Sequence, residues 1–153
     1  IGEVFLRPLT GQGSTYRYIG AEAKSIPGGF ESIGDMGYFD EDGYLYLADR
    51  QTDMILSGGA NIYPAEVEAA IDSCAGVRSS AVIGLPHEDL GNFVHAIVDA
   101  PGGLEESVLL NHLADRLVRY KIPKTIEFSD EPMRDDAGKL RRKALREERL
   151  EKS

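Results

Sequence analysis

The sequence is poor in the groups that most readily announce a function. It holds one cysteine, Cys74, in 153 residues, which excludes an internal disulfide and fits a reducing, cytoplasmic compartment. Cys74 sits in the apolar stretch of a predicted helix, where a buried, inert thiol is expected rather than a nucleophile. The three histidines, His87, His95 and His112, share no metal-site spacing on one helix face or short loop, and no catalytic role is assigned to them. Basic residues are outnumbered, with 17 Lys and Arg against 26 Asp and Glu and a net charge of -9. A phosphate-neutralising basic face is therefore not expected, which argues against a nucleic-acid module. No run approaches the roughly 20 apolar residues of a membrane span, and no signal-peptide pattern opens the chain. Internal repeats and low-complexity tracts are lacking too. So is an initiator methionine: the chain starts Ile1-Gly2-Glu3-Val4 in strand-like alternation, and a piece cleaved or excised from a larger protein is expected.

What is present is ordinary globular patterning. Val4 to Leu6 reads as a strand, followed by a Gly/Ser/Pro-punctuated stretch through Gly29. Tyr38-Phe39 and Tyr44 to Leu47 flank Asp40-Glu41-Asp42-Gly43 and predict a hairpin. Its acidic turn is read as turn chemistry, with Gly43 at positive φ, rather than as a calcium loop. Met54 to Leu56 and Asn61 to Tyr63, joined by Ser57-Gly58-Gly59, predict a second small hairpin. Pro64 then opens a helix, with Glu66 and Glu68 near its positive end and Val67, Ala70, Ile71 and Cys74 at helical spacing. Strands follow at Ser80 to Leu85 and Phe93 to Asp99, separated by a Pro86 to Gly91 loop. A helix from about Glu105 to Arg119 presents Leu109, Leu110, Leu113 and Leu117. Then come a strand at Thr125 to Phe128, a polar loop at Ser129 to Gly138, and a charge-mixed helix from about Arg141 to Leu150 whose face is expected to be solvated. The fold class is α+β, with a sheet of roughly three strands flanked by helices plus the small hairpin.

Several segments are polar or Gly-rich where a core does not require it. Asp35, after Gly34, can accept hydrogen bonds from a ribose diol or can cap a turn. Arg50 offers a rigid fork of donors suited to phosphate or ribose oxygens, although Asp49 and Asp53 can equally pair with it. Gly58 and Gly59 permit close approach of a ligand to the backbone, or simply a tight turn, and the Gly-x4-Gly-Lys-Ser/Thr spacing of a P-loop is missing. Lys139, behind Gly138, is a compact charge on a long stem, able to reach a developing phosphate charge or to sit in solvent.

Taken in order, these segments resemble the acyl-adenylate-forming superfamily of acyl-CoA synthetases, firefly-type luciferases and peptide-synthetase adenylation domains. The resemblance runs through Gly34-Asp35-x-Gly37-Tyr38-x-Asp40-x-Asp42-Gly43-Tyr44-Leu45, Asp49-Arg50-x-x-Asp53-x-Ile55, Gly58-Gly59, Asn61-Ile62-Tyr63-Pro64 and Glu66. It ends at Tyr120-Lys121-Ile122-Pro123-Lys124 and Gly138-Lys139. It implies that residues 1–49 are the strand-rich tail of a larger N-terminal nucleotide- and acyl-binding domain, and that residues 50–153 are a mobile C-terminal domain. It further implies that Asp35 holds the ATP ribose and that Arg50 contacts the nucleotide. Thr52 would be the hinge, Gly58 and Gly59 would line the coenzyme A pantetheine tunnel with Asn61 nearby, and Lys139 would serve adenylation.

The implied reaction is an AMP-forming carboxylate–CoA ligation, as in fatty acid metabolism, using ATP, Mg2+ and coenzyme A. A chain of this length would be inactive without the preceding domain, which carries the Ser/Thr/Gly-rich phosphate loop and the acyl pocket. The family pattern is altered at Ile33 (usually Thr), at Thr52 (usually Asp or Lys), and at Met133, Asp135 and Ala137 before Lys139. An adenylation domain loading a carrier-protein thiol and a non-catalytic α+β interaction module are the alternatives. The carboxylic acid is not readable from this chain.

Overall fold

Val4 is the buried centre of a short strand whose ends, Gly2 and Leu6, are exposed. In the computed structural model, which describes residues 1–9, 24–131, 133–134 and 138–152, the chain divides into two compact units, Ile1–Thr52 and Asp53–Ser153. The first is a four-stranded antiparallel sheet of β1 (Gly2–Leu6), β2 (Ser25–Ile26), β3 (Phe30–Phe39) and β4 (Leu45–Arg50), with every other strand pairing to β3. Much of the Gly/Ser/Pro-punctuated stretch lies outside the described residues. The β3–β4 turn is made by its own side chains: the Asp40 carboxylate accepts the amides of Asp42 (3.0 Å) and Tyr44 (2.8 Å), and Gly43 takes φ 85°.

The second unit opens with the hairpin β5 (Ile55–Ser57) and β6 (Ala60–Ile62), then α1 (Pro64–Asp72), β7 (Ser79–His87), β8 (Gly91–Asp99), α2 (Glu106–Ala114), β9 (Thr125–Ser129) and α3 (Arg142–Glu151). β7 and β8 are antiparallel over their full length, β9 runs parallel to β8, and Ser57 pairs with Gly91. The small hairpin thus joins β7, β8 and β9 in one five-stranded sheet. The strands Ala81-Val82-Ile83 and Ala96-Ile97-Val98 read as continuous apolar runs because both of their faces are covered. Val82, Val94, Ala96 and Val98 pack with Val67, Ile71, Leu109 and Leu113 of α1 and α2. Ala81, Ile83 and Ile97 face the other way and meet Leu140 and Leu145.

Four expectations are corrected. The strand before the predicted Pro86 loop continues through His87, which pairs with Gly91; a proline is tolerated there because β7 lies at the sheet edge. α2 stops at Ala114, yet the next turn still brings Leu117 into the core through a bond from its amide to the Leu113 carbonyl (2.8 Å). Cys74 is buried as expected but lies past the end of α1. The charged face of α3 is docked rather than merely solvated: Arg142, Arg146 and Arg149 bond to Glu68, the Gly84 carbonyl and Glu127, respectively.

Candidate functional site

In the first unit, Asp35 and Arg50 are cross-strand partners on β3 and β4, with the guanidinium Nε 3.9 Å from Oδ1 of Asp35. Gly34 enters this pairing at φ 78°, and a register shift between Met36 and Gly37 follows it along β3. Residues 15 positions apart in sequence are therefore brought onto one rung. Arg50 is largely exposed and the contact is long, so the pair adds little to stability. What it supplies is a carboxylate with lone pairs for hydroxyl donors beside a rigid five-donor fork. Asp49 accepts the Arg50 amide at 2.8 Å, while Asp53 pairs with Arg142 at 3.2 Å in the second unit.

Gly58 and Gly59 form the β5–β6 turn with φ of 55° and 82°, two consecutive positive values that suit a two-residue hairpin loop. The Gly58 amide donates to the Leu90 carbonyl at 2.9 Å, and Asn92 donates to the Leu56 carbonyl at 3.2 Å. The turn is thereby fixed to the β7–β8 connection. A Cβ at Gly58 would come within 3.2 Å of the Leu90 side chain, but at Gly59 it would meet nothing within 4 Å. Gly59 therefore presents open backbone. Asn61, exposed on β6, shares this hairpin.

Lys139 is carried by a different segment. Arg134 and Leu140 form an antiparallel bridge around it, Arg134 donates to the Gly138 carbonyl at 3.2 Å, and Gly138 has φ 73°. Lys139 itself is exposed. Asp135, Asp136 and Ala137 lie outside the described residues. Nearby, burial pushes the Asp72 carboxyl up, an effect opposed by the Ser80 hydroxyl at 2.6 Å and by the charge of Arg134.

Two clusters escaped the sequence reading. Glu68, almost fully buried on α1, accepts the Val82 amide (2.8 Å) and two bonds from Arg142 (2.6 and 3.1 Å). The signal was available: Pro64, Val67, Glu68 and Ile71 share one buried helix face, and a carboxylate there needs a cation. In the second cluster, Arg149 grips Glu127 with two bonds (2.7 and 2.9 Å), and Glu127 stands 3.4 Å from His95 Nε2. His95 Nδ1 meets Thr125 Oγ1 at 2.7 Å. Burial holds His95 below its ordinary value. Burial also acts to raise Glu127, but the bonds and charges of Arg149 and His95 prevail and lower it.

Residues 66–139 match the family model of the AMP-binding enzyme C-terminal domain. The 2-succinylbenzoate–CoA ligase of Geobacillus kaustophilus is 44% identical over 128 residues, 82% of this chain and 26% of that protein. The long-chain-fatty-acid–CoA ligase FadD13 of Mycobacterium tuberculosis is 42% identical over 129 residues, 84% of this chain and 26% of that protein. The chain belongs to the adenylate-forming superfamily. Among solved members of the superfamily, the o-succinylbenzoate CoA synthetase of Bacillus subtilis, bound to its acyl-adenylate intermediate, superposes with a TM-score of 0.72 at 37% identity. That match covers 79% of this chain and 25% of the synthetase; the same synthetase has also been solved with ATP and magnesium ion. The chain thus spans about a quarter of the length of the superfamily relatives it matches.

Proposed function

We propose that this chain is the C-terminal part of an AMP-forming carboxylate–CoA ligase. One observation carries the reading. The two curated relatives, at 44% and 42% identity, are named for different acids yet both are CoA ligases, so the shared sequence follows the thioester chemistry rather than the acid. In that reaction a carboxylate oxygen attacks the α-phosphorus of ATP and pyrophosphate leaves. The coenzyme A thiol then attacks the acyl carbon and AMP leaves.

Charge and access support the residue roles that the resemblance implies. Asp35 accepts hydrogen bonds from the ribose hydroxyls, and Arg50 beside it faces the nucleotide. Lys139 brings an ammonium to the α-phosphate, where negative charge concentrates as two anions approach. The open backbone at Gly59, with Gly58 and Asn61 beside it, passes the pantetheine arm. Thr52, next to the division between the two units, is the hinge of a domain rotation that exchanges the lysine for the glycine turn. Among the described residues no group of His, Cys, Asp or Glu can hold a metal. Mg2+ is usually bound largely through substrate phosphates, and none of these roles runs through it.

Residues 1–49 are proposed as the tail of the larger N-terminal domain. The exposure of Tyr38, Phe39, Tyr44, Leu45, Tyr46 and Leu47 supports this, since so much clustered apolar surface calls for a covering body.

In the whole ligase, Lys139→Ala is expected to slow ATP–pyrophosphate exchange by roughly 10²–10³-fold and to spare thioester formation from supplied acyl-adenylate. Equal loss in both half-reactions would remove the role assigned to this lysine.

A further inference from the structure

Arg142 does more than neutralise the buried Glu68, because its guanidinium also reaches Asp53. It lies three residues beyond Lys139, at the first position of α3, and reaches back to the far side of the sequence. Its Nη2 and Nε donate to the two carboxylate oxygens of Glu68, at 2.6 and 3.1 Å, and its Nη1 donates to Asp53 at 3.2 Å. Glu68 is only 4% exposed and also accepts the Val82 amide, so one end of the grip is fixed to α1 and the sheet. Asp53 is the first residue of the second unit, so the other end is fixed where that unit begins. Between Lys139 and Arg142, Leu140 packs beside Ala81, Ile83 and Ile97. Three residues of chain span at most about 10 Å. The lysine backbone is thus tethered on its C-terminal side by a half-buried fork held on the buried Glu68 and by an apolar plug.

We propose that Arg142 is a positioning residue for the first half-reaction, acting through Lys139 by locking its segment to Glu68 and to the hinge end of the domain. The lysine then turns with the domain as part of one body instead of sampling a loop ensemble. This rests on the adenylation role read for Lys139. A planar, bidentate guanidinium suits the task because it sets an angle as well as a distance, which an ammonium does not.

The experiment uses the whole ligase. Removing Arg142 alone would strand the buried Glu68 charge and can unfold the domain, so the main variant is the neutral double substitution Glu68→Gln with Arg142→Met, beside Arg142→Lys and Lys139→Ala. Three quantities are measured: ATP–pyrophosphate exchange, thioester formation from supplied acyl-adenylate, and hydrogen exchange along residues 138–146.

For the double variant, kcat of the first half-reaction is expected to fall about 10²-fold with the KM for ATP and the second half-reaction unchanged. Amides from 138 to 140 should exchange roughly tenfold faster, while those of β7 and β8 stay protected. Arg142→Lys should fall between this variant and the parent. Unchanged exchange at 138–140, or faster exchange throughout the domain with equal loss in both half-reactions, would overturn the proposal. If Lys139→Ala leaves adenylation intact, the reading of the lysine fails separately, and the exchange data still decide whether Arg142 holds the segment.

Discussion

At Gly37 an added Cβ would stand 2.7 Å from the Tyr46 carbonyl oxygen and 3.0 Å from Val4, whereas at Gly59 it would meet nothing within 4 Å. The first glycine is required by its own sheet. The second is required only by its φ of 82°, a conformation that costs an L-residue about 1–2 kcal/mol, and what lies in front of it is empty space. A methyl group at Gly59 therefore tests function with little steric damage. Gly59→Ala in the whole ligase should slow thioester formation about tenfold or more, leave pyrophosphate exchange near the parent rate, and cost no more than about 2 kcal/mol in denaturant. Equal effects on both half-reactions would show that the turn serves folding and not the thiol path.

The elements of the second unit were largely legible because each obeys a simple period. Pro64 with Val67 and Ile71 marks α1, and the two apolar runs around Val82 and Ile97 mark strands covered on both faces. Asp35, Arg50 and Lys139 are singled out by their order in the chain and not by their surroundings, since each is locally a common polar residue. Illegible in advance were the partners of α3. A helix whose sequence is mostly charge looks solvated, and only the burial of Glu68 and the position of Glu127 in β9 show where Arg142 and Arg149 land. The last turn of α3 is consequently tied to a buried histidine. Because burial holds the folded-state value of His95 below its ordinary 6.5, the unfolded chain takes up that proton first as the pH falls. Stability from this group is full above about pH 6.5 and declines as the pH falls through that value. Urea melts between roughly pH 5 and 8 should show that slope, and His95→Gln should flatten it. A slope that survives the substitution would assign it to another group.

The two units of the chain differ in self-sufficiency. Asp53–Ser153 contains a continuous core from Ile55 to Leu117 with helices over both sheet faces, and it should fold alone. A 53–153 polypeptide is expected to unfold cooperatively in denaturant, with native-like protection in β7 and β8. Ile1–Thr52 should not do so: Val4 is its one buried large hydrophobic among the described residues, while Phe39, Tyr44 and Leu47 stay more than half exposed. A non-cooperative transition for 53–153 would mean that the division by compactness is not a division by stability. The pairing of Asp35 with Arg50 has a consequence for exchanging such domains between ligases. The two residues sit on adjacent strands joined by one turn, so a splice placed between Thr52 and Asp53 transfers a folding unit and leaves that rung intact in the recipient. A splice inside the Asp40–Tyr44 turn would assemble the rung from two different parents, and the aspartate and arginine would then face each other only if both parents carry the same register shift at Gly37.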